Sequence, residues 1–355
     1  DHGDDHRLAD LSHALSFQQV IQLTSTGYGS GLATVDLPIS KSIVNRELIL
    51  GFLGGAERPH FASDVPDDVL ILSEAIYSES EVWDLGHSGT AMRFATALAC
   101  LGDKPRILRG SSRMHERPIH LLVDALIELG ADIEYLDKSG YPPLLIRPTV
   151  ELGGAVSIQG NVSSQYISAL LLIAPSLPNG IELTLIPPIT SKPYIELTLD
   201  VLSSKGVDCN WEEDVIRIDQ QSIPLFQTSI ERDWSAAAFF YGLVAQGCPE
   251  SIYFPGLVLA SAQGDCELAS IFNSLGVGTE SYLDGVRIFS KNQTETAFNA
   301  DLQDHPDLAQ AVAFTCAAIG KECRLTGLRT LRIKETDRIV AIEECLKQAG
   351  CVVKS

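Results

Sequence analysis

Val201-Leu202-Ser203-Ser204-Lys205-Gly206-Val207-Asp208-Cys209-Asn210-Trp211 reads as the end of an apolar-periodic helix, a glycine turn and the start of a strand. Gly206 stands just past the helix, where a left-handed backbone closes the last turn and glycine adopts it without a Cβ clash. The same punctuation follows the helical patterns at 122–130, 271–276 and 345–350, each ending on a glycine: Gly130, Gly276 and Gly350. The four glycines are 76, 70 and 74 residues apart. A period in the low seventies marks an internal repeat.

The content of each period repeats too. One copy has a helix at 89–100, a strand at 106–108, a helix at 117–130 and two short strands ending at 144–147. The next runs 164–175, 181–186, 193–206, 209–211 and 215–218, and a third runs 235–245, 252–254 and 263–276 with a hairpin ending at 286–289. Residues 306–320, 323–325 and 334–350 begin another, and 42–53 with 67–77 form a shorter first copy lacking most of its hairpin. Five copies therefore open at Ser42, Gly89, Ser164, Ser235 and Pro306, the fifth incomplete at Ser355. Units of this kind bury their helices against their own sheet and their neighbours. At 355 residues the chain exceeds one ordinary domain, so an α/β (α+β) protein of two domains is expected.

The chain carries 46 acidic and 26 basic residues, a formal charge of −20. That argues against a nucleic-acid or anionic-membrane surface, which would need a basic stripe. No apolar run approaches the roughly 20 residues that span a bilayer. The acidic start, Asp1 to Arg7, has no signal pattern, and His2 and His6 read as part of a frayed tail. Eight cysteines without C-x-x-C spacing read as buried, reduced thiols of a cytoplasmic protein.

Against this acidic background, five helix starts carry small or hydroxylated residues, four of them with Lys or Arg close by. They are Ser40-Lys41-Ser42 with Arg46, Gly89-Thr90 with Arg93, Ser163-Ser164-Gln165, Asp233-Trp234-Ser235 after Arg232, and Lys334-Glu335-Thr336-Asp337-Arg338. A helix N-terminus already offers free N–H groups and positive dipole, and added hydroxyls or cations make it an anion seat. Lys41 at such an end is costly unless an anion answers it. Arg113-Met114-His115-Glu116-Arg117-Pro118 puts two arginines before a helix with Pro118 in its first position. Either they contact a carboxylate or phosphate, or they are surface charges paired with Glu116. Ser191-Lys192-Pro193-Tyr194 adds neutral donors, or simply caps a helix. Asp307 and Glu335 stand among these cations, poised for proton transfer, although Asp307 can equally cap its helix. P-loop, H-E-x-x-H and G-x-S-x-G patterns are absent. Gly27-Tyr28-Gly29-Ser30-Gly31 reads as a hairpin loop between strands at 20–23 and 33–35.

In order along the chain, these segments resemble the enolpyruvyl transferases, in particular the branch that acts on shikimate 3-phosphate. The resemblance is carried by L-P-x-S-K-S-x-x-N-R at 37–46, G-x-x-G-T-A-M-R at 86–93 and R-M-x-E-R-P-I at 113–119. It continues with S-S-Q-Y at 163–166, S-K-P-Y at 191–194, G-D at 264–265, P-D at 306–307 and K-E-T-D-R at 334–338, covering about residues 17–355.

The resemblance implies a two-domain fold of repeated βαβαββ units, five of six copies visible, with substrate in the cleft between the domains. Residues 17–39 and 232–355 would form one discontinuous domain without its sixth repeat, 40–231 the other, and 1–16 a flexible N-terminal extension. The implied reaction transfers the enolpyruvyl group of phosphoenolpyruvate to the 5-hydroxyl of shikimate 3-phosphate and releases phosphate. No cofactor and no metal are implied, and the protein would be a cytoplasmic monomer with no nucleic-acid or membrane partner. By resemblance Lys41, Asp307 and Glu335 are catalytic. Ser42, Arg46, Ser163, Ser164, Gln165, Ser191, Tyr194, Asp307 and Lys334 would hold shikimate 3-phosphate. Lys41, Gly89, Arg93, Arg117, Gln165 and Arg338 would hold phosphoenolpyruvate. His87 replaces the family's usual Asn, and the chain stops before the family's H-R-x-A-M segment and later lysine. Two alternatives stay open: a truncated, non-catalytic binder of shikimate 3-phosphate, and the sister transferase acting on UDP-N-acetylglucosamine.

Overall fold

The computed structural model describes residues 31–61, 65–161, 163–225, 230–292 and 296–355. The expected extension 1–16, the strand at 20–23 and most of the glycine loop at 27–31 lie outside them. Among the described residues no helix is long and apolar enough to cross a membrane.

Three four-stranded sheets share one plan. In the first, β2 (Val82–Asp84) pairs in parallel with β3 (Arg106–Arg109), which pairs antiparallel with β5 (Leu144–Arg147), itself antiparallel to β4 (Asp132–Tyr135). In the second, β6 (Gly154–Gln159), β7 (Ile181–Ile186), β9 (Val215–Ile218) and β8 (Asn210–Glu212) repeat that order and sense. In the third, β1 (Leu32–Thr34) is followed in the sheet by β10 (Ser251–Pro255), β12 (Gly285–Ser290) and β11 (Val277–Tyr282). A two-stranded parallel sheet of β13 (Ala297–Asp301) and β14 (Glu322–Thr326) gives the first half of the same plan. The four glycines that revealed the period all have positive φ: 104° at Gly130, 77° at Gly206, 85° at Gly276 and 86° at Gly350.

Each unit begins one strand earlier than the sequence period placed it. Strands β2, β6 and β13 precede the helices that had seemed to open their copies. They are short, with exposed residues alternating along β6, so no apolar run announces them. Among the described residues the first copy has no sheet of its own. It consists of α1 (Lys41–Leu53) and α2 (Asp67–Ile76) packed on each other.

Among the described residues two large apolar cores form, beside a small cluster of Leu302, Ala309 and Leu331. The larger draws on residues from Val44 to Ile218, and its heart is α3 (Gly89–Ala99) with α5 (Ser164–Ile173). Both helices are apolar around nearly their whole circumference and buried accordingly. The smaller core joins Leu37 to residues from Trp234 to Cys316, around α7 (Trp234–Ala245), α8 (Leu268–Asn273) and α9 (Ala309–Ala318). We refer to the surrounding structures as the first and second lobes. Each fully buried Leu or Phe in these cores contributes about 2 kcal/mol.

The chain passes between the lobes at two adjacent points. Ile39 and Arg232 form an antiparallel bridge, the Ser40 N–H donates to Glu231 O at 2.9 Å, and the Asp233 N–H donates to Pro38 O at 3.0 Å. Asp233 caps α7 through the Ala236 N–H, and its other oxygen accepts the N–H of Lys41, the first residue of α1. One carboxylate thus serves two helix N-termini, one on each lobe.

Some local expectations change. The helix predicted from Arg117, with Pro118 in its first turn, begins instead at His120 as α4 (His120–Glu128), behind a 3-10 turn at Met114–Glu116. Lys334 to Asp337 precede α10 (Arg338–Gln348) rather than open it, because the Asp337 carboxylate caps the Ile339 and Val340 N–H groups. The thiols are free, but only Cys100 and Cys316 are buried and Cys345 is exposed. Their hosts, such as α10, turn one face to solvent, so apolar context overstated burial.

Candidate active site

A cavity of about 360 Å³ opens where the lobes face each other. The first turns of α1, α3 and α5 all reach it, supplying Lys41 and Ser42, Gly89 and Thr90, and Ser164 and Gln165. Ser191 and Tyr194 come from the start of α6 (Lys192–Ser204). The second lobe contributes Pro306 and Asp307 ahead of α9, then Lys334, Glu335 and Arg338. Leu331 is fully buried and anchors the 3-10 turn Arg329–Ile333 that leads into those last residues. Every residue to which the resemblance assigns a role lines this one space: Lys41, Ser42, Arg46, Gly89, Arg93, Arg117, Ser163, Ser164, Gln165, Ser191, Tyr194, Asp307, Lys334, Glu335 and Arg338.

One of the five helix starts does not: Asp233-Trp234-Ser235 is absent from the cavity wall, because the Asp233 carboxylate already occupies that anion seat. Arg113 is likewise not at the wall. It pairs with Glu116 at 2.9 Å and crosses the gap between lobes to donate to the carbonyls of Lys334 and Glu335.

The cations differ in what they have left to offer. Arg46 is buried, and its guanidinium donates to Thr198 Oγ1 at 2.8 Å, Ser42 O at 2.7 Å, Tyr194 O at 2.9 Å and Ser168 Oγ at 3.2 Å. Most of its five donors hold α1, α5 and α6 together, so its first task is structural. Burial lowers its pKa to about 10. Arg93 is similarly committed, donating to Pro118 O at 2.8 Å and Gly89 O at 3.4 Å, while its Nε is buried without a partner.

Arg117 is the least committed. It is 6% exposed, and among the described residues its one hydrogen bond goes to His87 O at 3.3 Å and its buried Nε has no partner. Burial, with the like charge of Arg93, lowers its pKa to about 10, so it stays a cation at neutral pH. No carboxylate ion-pairs with Arg93 or Arg117 among the described residues. Gly89 makes room for Arg117: a Cβ there would sit 2.5 Å from its Nη2.

The second lobe's charges are paired with one another. Asp307 accepts from Arg338 Nη1 at 2.8 Å and lies 3.1 Å from Lys334 Nζ. Burial favours its neutral form, but Lys334, Arg338 and then Lys41 outweigh it and depress the carboxyl to about 2. Asp307 therefore makes ion pairs instead of capping its helix. Burial also opposes ionised Glu335, yet Arg338 at 2.7 Å holds it below the ordinary carboxylate value. Lys41, at the end of α1, is answered by Asp68 at 3.3 Å. Ser191 adopts a left-handed backbone, φ 55°, and makes no cap bond, which leaves its hydroxyl uncommitted to α6.

Several wall residues escaped the sequence reading. Asp68 looked like a routine carboxylate in the first turn of α2, and Thr330 and Ile333 carried no signal. Thr90 accepts the Gln165 side-chain N–H at 3.2 Å and so fixes that amide. Among the described residues no cluster of three or more His, Cys, Asp and Glu could hold a metal ion.

Six cations (Lys41, Arg46, Arg93, Arg117, Lys334, Arg338) face three carboxylates (Asp68, Asp307, Glu335) across one space in a chain of charge −20. A repeated α/β protein with such a cavity belongs in the class that binds small polyanions at clustered helix N-termini. The sequence profile of EPSP synthase (3-phosphoshikimate 1-carboxyvinyltransferase) matches residues 68–355. A 3-phosphoshikimate 1-carboxyvinyltransferase from Bacteroides fragilis is 42% identical over 323 residues, 90% of this chain and 78% of that protein. Another from Mannheimia succiniciproducens is 34% identical, covering 94% of this chain and 84% of that protein. The solved EPSP synthase of Acinetobacter baumannii superposes with a TM-score of 0.69 at 19% identity, over 90% of this chain and 79% of that one, and so shares the fold. The chain belongs to the EPSP synthase family.

Proposed function

We infer that the protein transfers the enolpyruvyl group of phosphoenolpyruvate to the 5-hydroxyl of shikimate 3-phosphate, releasing phosphate, as a step of the shikimate pathway toward chorismate and the aromatic amino acids. The supporting observation is the pair of dissimilar walls: nearly unpartnered Arg117 on one side, the Asp307–Lys334–Arg338–Glu335 network on the other.

Ser163, Ser164, Ser191 and Lys334 are the proposed seat of the shikimate phosphate, with Ser42, Arg46, Gln165 and Tyr194 completing that subsite. Arg117 and Arg338, with Lys41, Gly89, Arg93 and Gln165, are the proposed seat of phosphoenolpyruvate. In the first step the 5-oxygen bonds to C2 of the enol, its proton passes to a carboxylate of the Asp307/Glu335 pair, and C3 takes a proton from the acid, for which Lys41 is the candidate. In the second step the C2–O bond to phosphate breaks, C3 returns a proton, and the enol ether forms.

A base depressed to about 2 is too weak for this work. Substrate corrects it. As the anionic groups of the two phosphorylated substrates draw Lys334 and Arg338 toward themselves, Asp307 and Glu335 lose the cations that depress them. Their proton affinity then rises toward the working range. The fixed cations of the first lobe meanwhile stabilise the charge that develops on the reacting groups.

Small-molecule substrates, a monomeric state and a cytoplasmic location complete the proposal, with 17–39 plus 232–355 and 40–231 as the two domains. Phosphate release with both substrates, and none when either is omitted, is the expected result. Turnover only with UDP-N-acetylglucosamine as acceptor would replace the reading by the sister reaction.

A further inference from the structure

We propose that Asp265 is a positioning residue for this site: reaching from the second lobe, it holds the Tyr194 ring of the first lobe in place at the cavity wall. The proposal deepens the functional reading above and rests on it.

Tyr194 sits in the first turn of α6. Its carbonyl accepts from Arg46 and from the Thr198 hydroxyl, which pins its backbone to the first lobe. Its phenol crosses the gap between lobes and donates to Asp265 Oδ1 at 2.8 Å. Asp265 lies in the 3-10 turn Gly264–Glu267, only 2% exposed, and its other oxygen accepts the hydroxyl of Ser235 in the first turn of α7. The junction is packed as well as bonded. A Cβ on Gly264 would come within 2.6 Å of Pro193 Cβ, so the two turns touch through a position that only glycine leaves open. Neighbouring bonds hold the same segment. The Ser191 N–H donates to Gln303 O and the Lys192 N–H to Asp304 Oδ1, each at 3.3 Å, and Gln303 Nε2 donates to Ile189 O.

A carboxylate is an expensive choice at this spot. Burial and the nearby charges of Asp307 and Asp233 push Asp265 up to about 6, and its oxygens take hydroxyl donors rather than cations. What it provides is two acceptor oxygens that order two hydroxyls at once, one from each lobe. Tyr194 has a single O–H, and it is spent on Asp265, so the residue contributes an oriented ring rather than a donor to the bound substrate. Separation of the lobes removes the anchor, which ties the ring's pose to closure.

The test is a double-mutant cycle on the full chain: wild type, Asp265→Ala, Tyr194→Phe and the pair, with Asp265→Asn as the conservative variant. Steady-state kinetics and calorimetric binding of shikimate 3-phosphate are the readouts. KM and Kd for shikimate 3-phosphate should rise about tenfold in each single variant, as for loss of one charge-assisted bond. The double variant should be no worse than either single one, kcat should change less than KM, and Asp265→Asn should recover part of the loss. Losses that multiply in the double variant, or an unchanged KM in Asp265→Ala, overturn the proposal. A wild-type protein that neither binds nor converts shikimate 3-phosphate refutes the functional reading instead. The same cycle read on melting temperature, which needs no ligand, then decides about the anchor: coupled shifts support it and additive shifts overturn it.

Discussion

The two walls of the cavity use charge in opposite ways. On the first lobe Arg46, Arg93 and Arg117 are buried, bonded to carbonyls and hydroxyls, and free of carboxylate partners among the described residues. On the second, Lys334 and Arg338 are each tied to Asp307, and Arg338 to Glu335 as well. A buried cation fixed by neutral acceptors is a standing field that any anion can satisfy. A cation already paired with a carboxylate is a relay, since taking it away changes the proton affinity of the group left behind. Under the proposed function the first wall binds and the second responds.

Lys41 stands where the walls meet, with Asp68 beside it and Asp307 within its electrostatic reach, so its loss should be the most damaging. Lys41→Ala is expected to lower kcat/KM by about 10⁴ with an unchanged circular-dichroism melt, because no core contact is lost. A loss under tenfold would remove Lys41 from the chemistry. Asp307→Asn should break the relay specifically, with kcat down about 10²–10⁴ and KM nearly constant. A KM effect of the same size would mean that the second wall merely binds. Arg117→Ala should do the reverse, raising KM for phosphoenolpyruvate by about 10² with a smaller change in kcat, and Arg117→Lys should recover part of it.

The two buried aspartates sharpen the contrast through pH. Asp307, depressed to about 2 from an ordinary 3.8, stabilises the fold above 3.8, and that contribution disappears as pH falls through 2. Asp265, raised to about 6, contributes in the other direction. Its term is full below 3.8 and is lost as pH rises through 6. Asp307→Asn should therefore lower the melting temperature at pH 7 and not near pH 2, whereas Asp265→Asn should raise it at pH 8 and not at pH 3.5. Parallel pH curves for the two variants would show that the environments are not opposed. The smallest effect is expected for Arg113→Ala, about threefold or less in KM, since its half-exposed bonds to the Lys334 and Glu335 carbonyls only trim the edge of the second wall.

Much of this is legible in the sequence itself. The glycines past four helices gave the period, because a left-handed helix end leaves a fixed residue type at a fixed place. Hydroxyls and cations at helix starts gave the cavity, because dipole and free N–H groups act within the first turn. What stayed hidden depended on distant neighbours. Nothing local tells that Arg46 is consumed by Thr198, Ser168 and Tyr194 while Arg117 is left almost free. Short strands such as β2 take their identity from the partner they pair with. Asp265 and Arg113 act across the gap between lobes, where sequence separation carries no information about distance.

The bridge between Ile39 and Arg232 has a consequence for how the chain reaches its native state. Strand β1 pairs with β10 across about 200 intervening residues, a connection whose closure entropy would slow assembly if that stretch remained extended. Collapse of the intervening lobe brings Ser40 and Glu231 within a hydrogen bond of each other and shrinks the effective loop to about 25 residues, roughly half of them already wound into α7. Connectivity therefore favours condensation of the inner lobe before the outer sheet zips onto ends already brought together.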